Sequence, residues 1–155
     1  MRAVLDTTVW CSAFLSRNEK SAARRIWNAW RNGLFIAVVS GPIVDEVAHV
    51  LLEELGVPEA DVDEFVALLC AVADVIPIKH QVMGCRDRND DAFLETAVVG
   101  AANYVVTHDE DLLALPASVK DYLRGRGVEV WADARAGERD FCDVLRDAEA
   151  STEVS

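Results

Sequence analysis

Four acidic residues of the 155-residue chain occupy positions from which their side chains could act together. Asp6 and Asp109 each follow a short apolar segment, whereas Glu46 and Asp91 lie near the beginnings of segments with helical periodicity. Two ionised carboxylates about 4 Å apart repel each other by roughly 4 kcal/mol at an effective dielectric constant of about 20. Four such acids would become partly protonated or stay apart unless a cation bound between them. Oxygen ligands suit Mg²⁺ or Mn²⁺, and such an ion can bind a phosphodiester and activate a water molecule.

The elements that must position these acids alternate between strands and helices. Apolar, β-branched segments predict strands, and apolar residues at helical spacing predict the helices between them. This order favours an α/β fold with a parallel sheet that helices cover on both faces. The predicted strands are 2–5, 34–39, 75–78, 103–107 and 128–131, and the predicted helices lie around 23–30, 44–51, 65–72, 93–101, 119–123 and 141–145.

The carboxyl ends of the strands are where an open parallel sheet binds its ligands. Topology therefore predicts that Asp6, Glu46 and Asp109 lie at this edge of the sheet. It does not place Asp91, because the connection before its helix cannot be traced, and a site shared by all four acids is the simplest hypothesis. The alternative is that no site exists, since an acid in a first helical turn offsets the helix dipole and an Asp after a strand forms turns. The residues alone leave both interpretations open.

Composition limits the class of protein. The chain has 15 Lys and Arg against 27 Asp and Glu, a net charge of −12, so a polyanion would need a local basic patch or a bound cation. No apolar run approaches the roughly 18 residues of a membrane helix, and the four cysteines lack the spacing of a zinc site. We therefore expect a cytoplasmic protein with reduced thiols and no membrane contact. The length predicts one domain over residues 1–146 and an acidic, frayed tail over 147–155.

Three stretches of the sequence resemble the PIN-domain family, in particular its bacterial and archaeal members described as toxins of toxin–antitoxin pairs. Residues 4–13 read VLDTTVWCSA, where the family usually reads V-L-D-T-N-V-x-x-S-A. Residues 40–51 carry Glu46 in the position of the helix acid. The most specific stretch is RDRNDDAFLETA at 86–97, followed by VVTHDEDLL at 105–113. The order and spacing of these stretches extend the resemblance over residues 1–131.

This resemblance implies a three-layer α/β/α sandwich with a central parallel sheet of four to five strands. It also implies an endoribonuclease that cleaves RNA with Mg²⁺ or Mn²⁺, a cognate antitoxin as partner, and a homodimer or higher homo-oligomer. The acids carried over are Asp6, Glu46, Asp91 and Asp109, as both catalytic residues and metal ligands. Asp91 is preferred to Asp90 because of its distance along the chain to Asp109. Asp111 is a further candidate ligand, and the hydroxyl of Thr7 matches a position that can hold a metal-bound water.

Two departures from the family pattern, together with the net charge of −12, motivate a second hypothesis. Thr8 replaces the common Asn, and His108 stands where Gly or Arg is usual. Arg88 also replaces a Pro, which we interpret as a detail of the loop. The second hypothesis is a non-catalytic binding module, whose acidic pocket holds a structural cation or a basic partner. Phosphotransfer on Asp6 is disfavoured, because Thr8 takes the place of the second acid that aspartate-based phosphatases use.

For two further groups of residues, we prefer a structural role to a role in binding RNA. Residues 17–31 carry five basic side chains against one acid, and we interpret them as a solvated helix face rather than as a guide for RNA. Trp27 and Trp30 have the spacing of core or dimer-contact residues. The apolar side chains between Val50 and Leu69 form either a deep core or a surface for a second copy or an antitoxin.

Overall fold

Five short parallel strands form the centre of the protein. The computed structural model describes residues 1–81, 83–85 and 88–154, so Arg86 and Asp87 of the most specific stretch, and Ser155, lie outside the described residues. Of Arg88, Asn89 and Val154 only the backbone is described. The sheet has the order β3-β2-β1-β4-β5, and each pair of neighbours is parallel. The strands are β1 Arg2–Leu5, β2 Ile36–Val39, β3 Asp74–Val75, β4 Tyr104–Thr107 and β5 Glu129–Ala132.

Helices cover this sheet on both sides, so the predicted three-layer α/β/α sandwich with a parallel sheet is confirmed. Its five strands match the upper end of the predicted number. No helix among the residues described is long and apolar enough to cross a membrane. The helices are α1 Thr7–Leu15, α2 Ala22–Arg31, α3 Gly41–His49, α4 Glu59–Val72, α5 Arg88–Val99, α6 Glu110–Leu113, α7 Ala117–Gly125 and α8 Phe141–Val154, and α3 continues as a π-helical turn over Val50–Glu54.

The predicted elements miss two helices, α1 and α6, and stop α8 too early. The sequence of α1 is apolar on almost every side, because it is buried between its neighbours, so it has no amphipathic period to reveal it. Helix α6 is a single short turn. The tail predicted to fray is helical through residue 154 in the structure, where the ion pair between Arg139 and Asp147 (2.5 Å) fixes one of its exposed turns.

An aromatic cluster holds α1, α2 and α4 together. The ring of Trp10 packs edge-on against Trp30 at 5.0 Å between centroids, and Trp27 stacks on Phe65 at 5.7 Å. Trp10 and Trp30 are buried, and Trp27 is half-buried. These tryptophans therefore belong to the core of the chain, and their burial leaves little ring surface for stacking on bases.

The direction of α5 decides where its first turn lies. The side-chain Nε of Arg2, at the start of β1, donates a hydrogen bond of 2.9 Å to the carbonyl of Gly100 just beyond α5. A Cβ at Gly100 would lie 2.5 Å from Cγ1 of Val38, so glycine allows this close approach to the sheet. Because α5 ends at the amino edge of the sheet, it begins at the carboxyl edge, and the first turn with Asp91 lies there.

Candidate active site

Asp6 is the most buried of the predicted site acids, with 4% of its surface exposed. It follows β1 directly and caps the N-terminus of α1: its Oδ1 accepts hydrogen bonds from the backbone N of Val9 and the hydroxyl of Thr8, both 2.9 Å. Thr8, which replaces the usual Asn, thus keeps a polar contact with Asp6. The carboxylate is held in one orientation from the α1 side.

Thr107 links Asp6 to Asp109. The buried hydroxyl of Thr107, at the end of β4, donates a hydrogen bond to Oδ2 of Asp6 and accepts one of 2.8 Å from the backbone N of Asp109. Asp109 caps α6, and its Oδ1 accepts a hydrogen bond of 2.8 Å from the backbone N of Asp111. Two of the predicted acids therefore belong to one hydrogen-bonded unit across neighbouring strands.

Asp91 lies in the first turn of α5 and is 5% exposed. Its Oδ1 accepts a hydrogen bond of 2.9 Å from the backbone N of Cys85. Asp90 is also buried, so burial does not distinguish the two candidates. One turn further along α5, the buried Glu95 accepts hydrogen bonds from the backbone N of Lys79 and of Gln81, at 2.8 and 2.7 Å. Glu95 thereby holds the segment that precedes the helix.

Glu46 lies on the second turn of α3 and lines an open cavity of about 490 Å³. His80 and Ala92, from the segment before α5 and from its first turn, line the same cavity. Burial raises the pKa of the Cys11 thiol to about 12, and the negative charges of Asp6 and Glu46 contribute to this rise. Cys11 thus lies within electrostatic reach of both acids, which connects the α3 side of the site to Asp6.

His108 and Asp133 form a contact that the sequence predictions did not include. Asp133 directly follows β5 and is 2% exposed, and its Oδ1 lies 2.7 Å from Nδ1 of His108. This close contact with Asp133 is the main reason that the pKa of His108 is raised, and the charges of Asp133 and Asp6 add to it. The sequence does contain a feature that predicts Asp133 at this edge, because Asp133 follows β5 as Asp6 follows β1. His108, which stands where the family usually has Gly or Arg, therefore contacts a buried acid.

Burial disfavours the charged form of Asp6. Burial raises the pKa of Asp6, and the hydrogen bonds from Thr107, Val9 and Thr8 offset only part of this rise. The hydroxyl of Thr7, the next residue, is buried and has no hydrogen-bond partner. Within residues 1–81, 83–85 and 88–154, however, no three His, Cys, Asp or Glu side chains converge closely enough to hold a metal ion between them. The elements that carry the predicted acids place them at one edge of the sheet, but among the described residues the acids do not form a complete set of metal ligands.

The hydroxyl of Thr107 can be tested by an isosteric substitution. In Thr107→Val the buried Oδ2 of Asp6 and the backbone N of Asp109 both lose a partner, so the free energy of unfolding is expected to fall by about 1–3 kcal/mol in urea denaturation. Thr107→Ser, which keeps the hydroxyl and loses a methyl group, is the matched control and should retain more stability than the valine variant. A valine variant more stable than the serine variant would contradict this account of the link.

Comparison with known proteins identifies the class to which this fold and edge of acids belong. A family model described as "PIN domain" matches residues 2–111, and the chain belongs to this family. No curated protein matches the chain. One similar solved structure is VapBC2 from Rickettsia felis bound to a DNA fragment from their promoter, with 13% identity, a TM-score of 0.49, and coverage of 84% of this chain and 99% of that chain. The family assignment rests on the family model.

Proposed function

We propose that this PIN-domain protein is a metal-dependent endoribonuclease that hydrolyses phosphodiester bonds of RNA. The observation that carries the proposal is the position of Asp6, Glu46, Asp91 and Asp109. All four lie within the segment matched by the family model, and the elements that carry them begin or end at the carboxyl edge of the sheet. Ligands of open parallel sheets bind at this edge. We assign the four acids the roles of catalytic residues and metal ligands.

The donor set fits Mg²⁺ or Mn²⁺, because it consists of carboxylate and hydroxyl oxygens. The unpartnered hydroxyl of Thr7 supports the presence of a ligand shell, since a buried hydroxyl without a hydrogen bond is costly and a metal-bound water could satisfy it. The open arrangement of the acids agrees with the tendency of Mg²⁺ to keep several waters and to use only one or two carboxylates. When bound, the ion would lower the pKa of an attacking water and offset charge on the leaving oxygen.

The chain's own residues prepare the site for this chemistry. The backbone N of Val9 and the hydroxyl of Thr107 each hold one oxygen of Asp6, so this carboxylate does not have to be oriented when a substrate arrives. Burial of Asp6 excludes water and strengthens its attraction for a cation. Asp109 is held at the next strand by Thr107. The two acids therefore present negative charge to one side of the sheet edge.

We further propose that the protein is the cytoplasmic toxin of a toxin–antitoxin pair and assembles as a homo-oligomer. A groove of about 430 Å³ between α4 and the end of α3 supports a protein partner. Apolar side chains of Leu52, Val66 and Cys70 line it, and Leu52 and Leu55 are exposed beside it. Apolar surface of this kind commonly marks a protein interface.

A specific observation favours the second candidate, a non-catalytic binding module. Asp6 and Asp109 both use carboxylate oxygens to cap helices, which is a structural role that needs no metal. In the residues that the structure describes, no three potential ligands converge. In this alternative the acidic edge binds a structural cation or a basic partner, and no bond is cleaved.

Cleavage of labelled RNA separates the two candidates. We expect the purified protein to cleave RNA with Mg²⁺ or Mn²⁺, and to lose this activity when EDTA removes the ion. The loss should be reversed by adding excess metal. No cleavage of any RNA with either metal would favour the binding module over the nuclease. Cleavage that persists at the same rate in EDTA would contradict the proposed metal dependence.

A further inference from the structure

A second concave surface lies along the outer edge of the sheet. Strand β5 pairs only with β4, so its other edge is open, and a groove of about 370 Å³ runs between this edge, α7 and the segment after β5. Buried or half-buried apolar side chains of Leu123, Val128 and Val130 form part of its lining. Its volume lies within the range typical of small-molecule sites.

Positive charge is concentrated in this groove. Lys120, Arg124, Arg135 and Arg139 line it together with Glu129 and Glu138, in a chain whose net charge is −12. Arg135 forms ion pairs with Glu110 and Glu138, and Arg139 forms one with Asp147, so Lys120 and Arg124 supply the positive charge that is open to a ligand. Lys120 forms no ion pair with any described residue, and Arg124 pairs only with the exposed Asp121 at 3.5 Å. Exposed pairs of this length contribute little stability, so both cations are available to an anion.

Trp131 adds an aromatic surface beside the cations. Its ring is half-buried on β5, and its Nε1 donates a hydrogen bond of 2.9 Å to Oε2 of Glu129. The guanidinium of Arg139 lies 5.8 Å from the ring centroid. Arginine and tryptophan planes both stack on nucleobases, and cations interleaved with aromatic rings are typical of surfaces that bind single strands.

One end of the groove lies near the candidate active site. Ala132 lines the groove and precedes Asp133, the partner of His108. Arg135, also in its lining, places its guanidinium 3.5 Å from the carboxylate of Glu110, the residue after Asp109. A strand that lies in the groove would therefore have one end close to the edge where the acids lie.

We propose that this groove binds single-stranded RNA, with phosphates at Lys120 and Arg124 and a base at Trp131. The inference rests on the proposed nuclease function, because it supplies the substrate path to that site. It also explains how an acidic protein holds a polyanion: the basic groove binds the strand beside the acids and offsets the repulsion from the rest of the surface. A peptide partner would use the open strand edge through backbone hydrogen bonds and would not need these cations.

Binding of RNA without cleavage tests the proposal. The probe is a fluorescently labelled oligouridine of about twelve nucleotides, titrated with the full chain in EDTA over a series of salt concentrations and followed by anisotropy. In Lys120→Gln/Arg124→Gln we expect at least about a tenfold loss of affinity, and the slope of log K against log salt should fall by about 1.4, or about 0.7 for each phosphate contact. Trp131→Ala should weaken binding about tenfold, and Trp131→Phe should recover much of it.

The matched control removes two positive charges from another part of the surface, near the start of α2. Lys20→Gln/Arg25→Gln changes two exposed cations at and near the start of α2, away from the groove, and should leave affinity and slope near those of the wild type. Equal losses in both double variants, unchanged binding in the groove variants, or no binding by the wild type at low salt would overturn the proposal. The proposed nuclease function can fail separately from this proposal. In that case the protein would bind the oligouridine in EDTA but would not cleave RNA when metal is added.

Discussion

Asp6→Asn is expected to lower metal-dependent RNA cleavage by about a hundredfold or more. The substitution removes the charge of the most buried candidate ligand and replaces Oδ2, which accepts the hydrogen bond from the Thr107 hydroxyl, with an amide nitrogen that cannot accept it. Asn is as good an N-cap residue as Asp, so α1 should keep its cap at Val9, and the amide is close in size to the carboxylate. Removing a buried charge with a raised pKa favours the folded state, and this gain offsets part of the cost of losing the acceptor for Thr107, so we expect the free energy of unfolding to fall by no more than about 1–3 kcal/mol. Cleavage rates and the urea midpoint, measured on the same preparation, separate lost chemistry from lost folding.

Asp45→Asn is the matched control for this experiment. Asp45 is exposed on α3, next to Glu46, and is outside the proposed ligand set. The Asp45→Asn variant should cleave RNA at a rate close to that of the wild type. If Asp6→Asn retained the wild-type rate while folded, Asp6 would act only as a helix cap, and the assignment of the active site would be wrong.

The second large effect is stabilisation by the metal. An ion that binds only the folded state adds roughly 2.7 kcal/mol at a free concentration about a hundred times its Kd. For a domain of this length we therefore expect Mg²⁺ or Mn²⁺ to raise Tm by about 5–10 °C. Asp109→Asn should reduce that rise, whereas Asp45→Asn should not. Comparing Asp90→Asn with Asp91→Asn shows which of the two acids is the ligand, because only the ligand variant loses part of the rise.

The pH dependence of this stabilisation has a defined sign. The pKa of Asp6 is raised in the folded protein above its ordinary value of 3.8, so the folded state binds a proton more tightly than the unfolded state. Without metal, stability from this group is therefore gained as the pH falls from neutral through the raised pKa. Protons then compete with the cation, and the rise in Tm caused by metal should shrink over the same pH range. A rise that grows as the pH falls would argue against Asp6 as a ligand.

Much of the fold could be predicted because the buried strands correspond to short apolar segments of the sequence. Strands such as β2 and β4 are short apolar runs at regular intervals, and parallel pairing follows from the helices between them. Helix α1 could not be predicted in this way. Its residues face buried neighbours on most sides, and tertiary packing rather than periodicity makes it helical.

The site was predictable where it depends on strand ends and not where it depends on side-chain detail. Asp6 and Asp109 lie where the topology predicts, since both follow strands of the sheet. The position of Asp91 required the direction of α5, which the contact between Arg2 and Gly100 reveals. Asp133 follows β5 in the same way, so the same rule of topology predicts it at this edge. The link through Thr107 depends on a rotamer, which no sequence pattern specifies.

The most direct test of the account is diffraction from crystals soaked in Mn²⁺, recorded at a wavelength where manganese scatters anomalously. The account predicts one or two anomalous peaks at the carboxyl edge of the sheet, within ligand distance of Asp6 or Asp109 directly or through ordered water. Soaked crystals whose anomalous map is empty at this edge, with Asp6 still bonded only to Val9, Thr8 and Thr107, would contradict it.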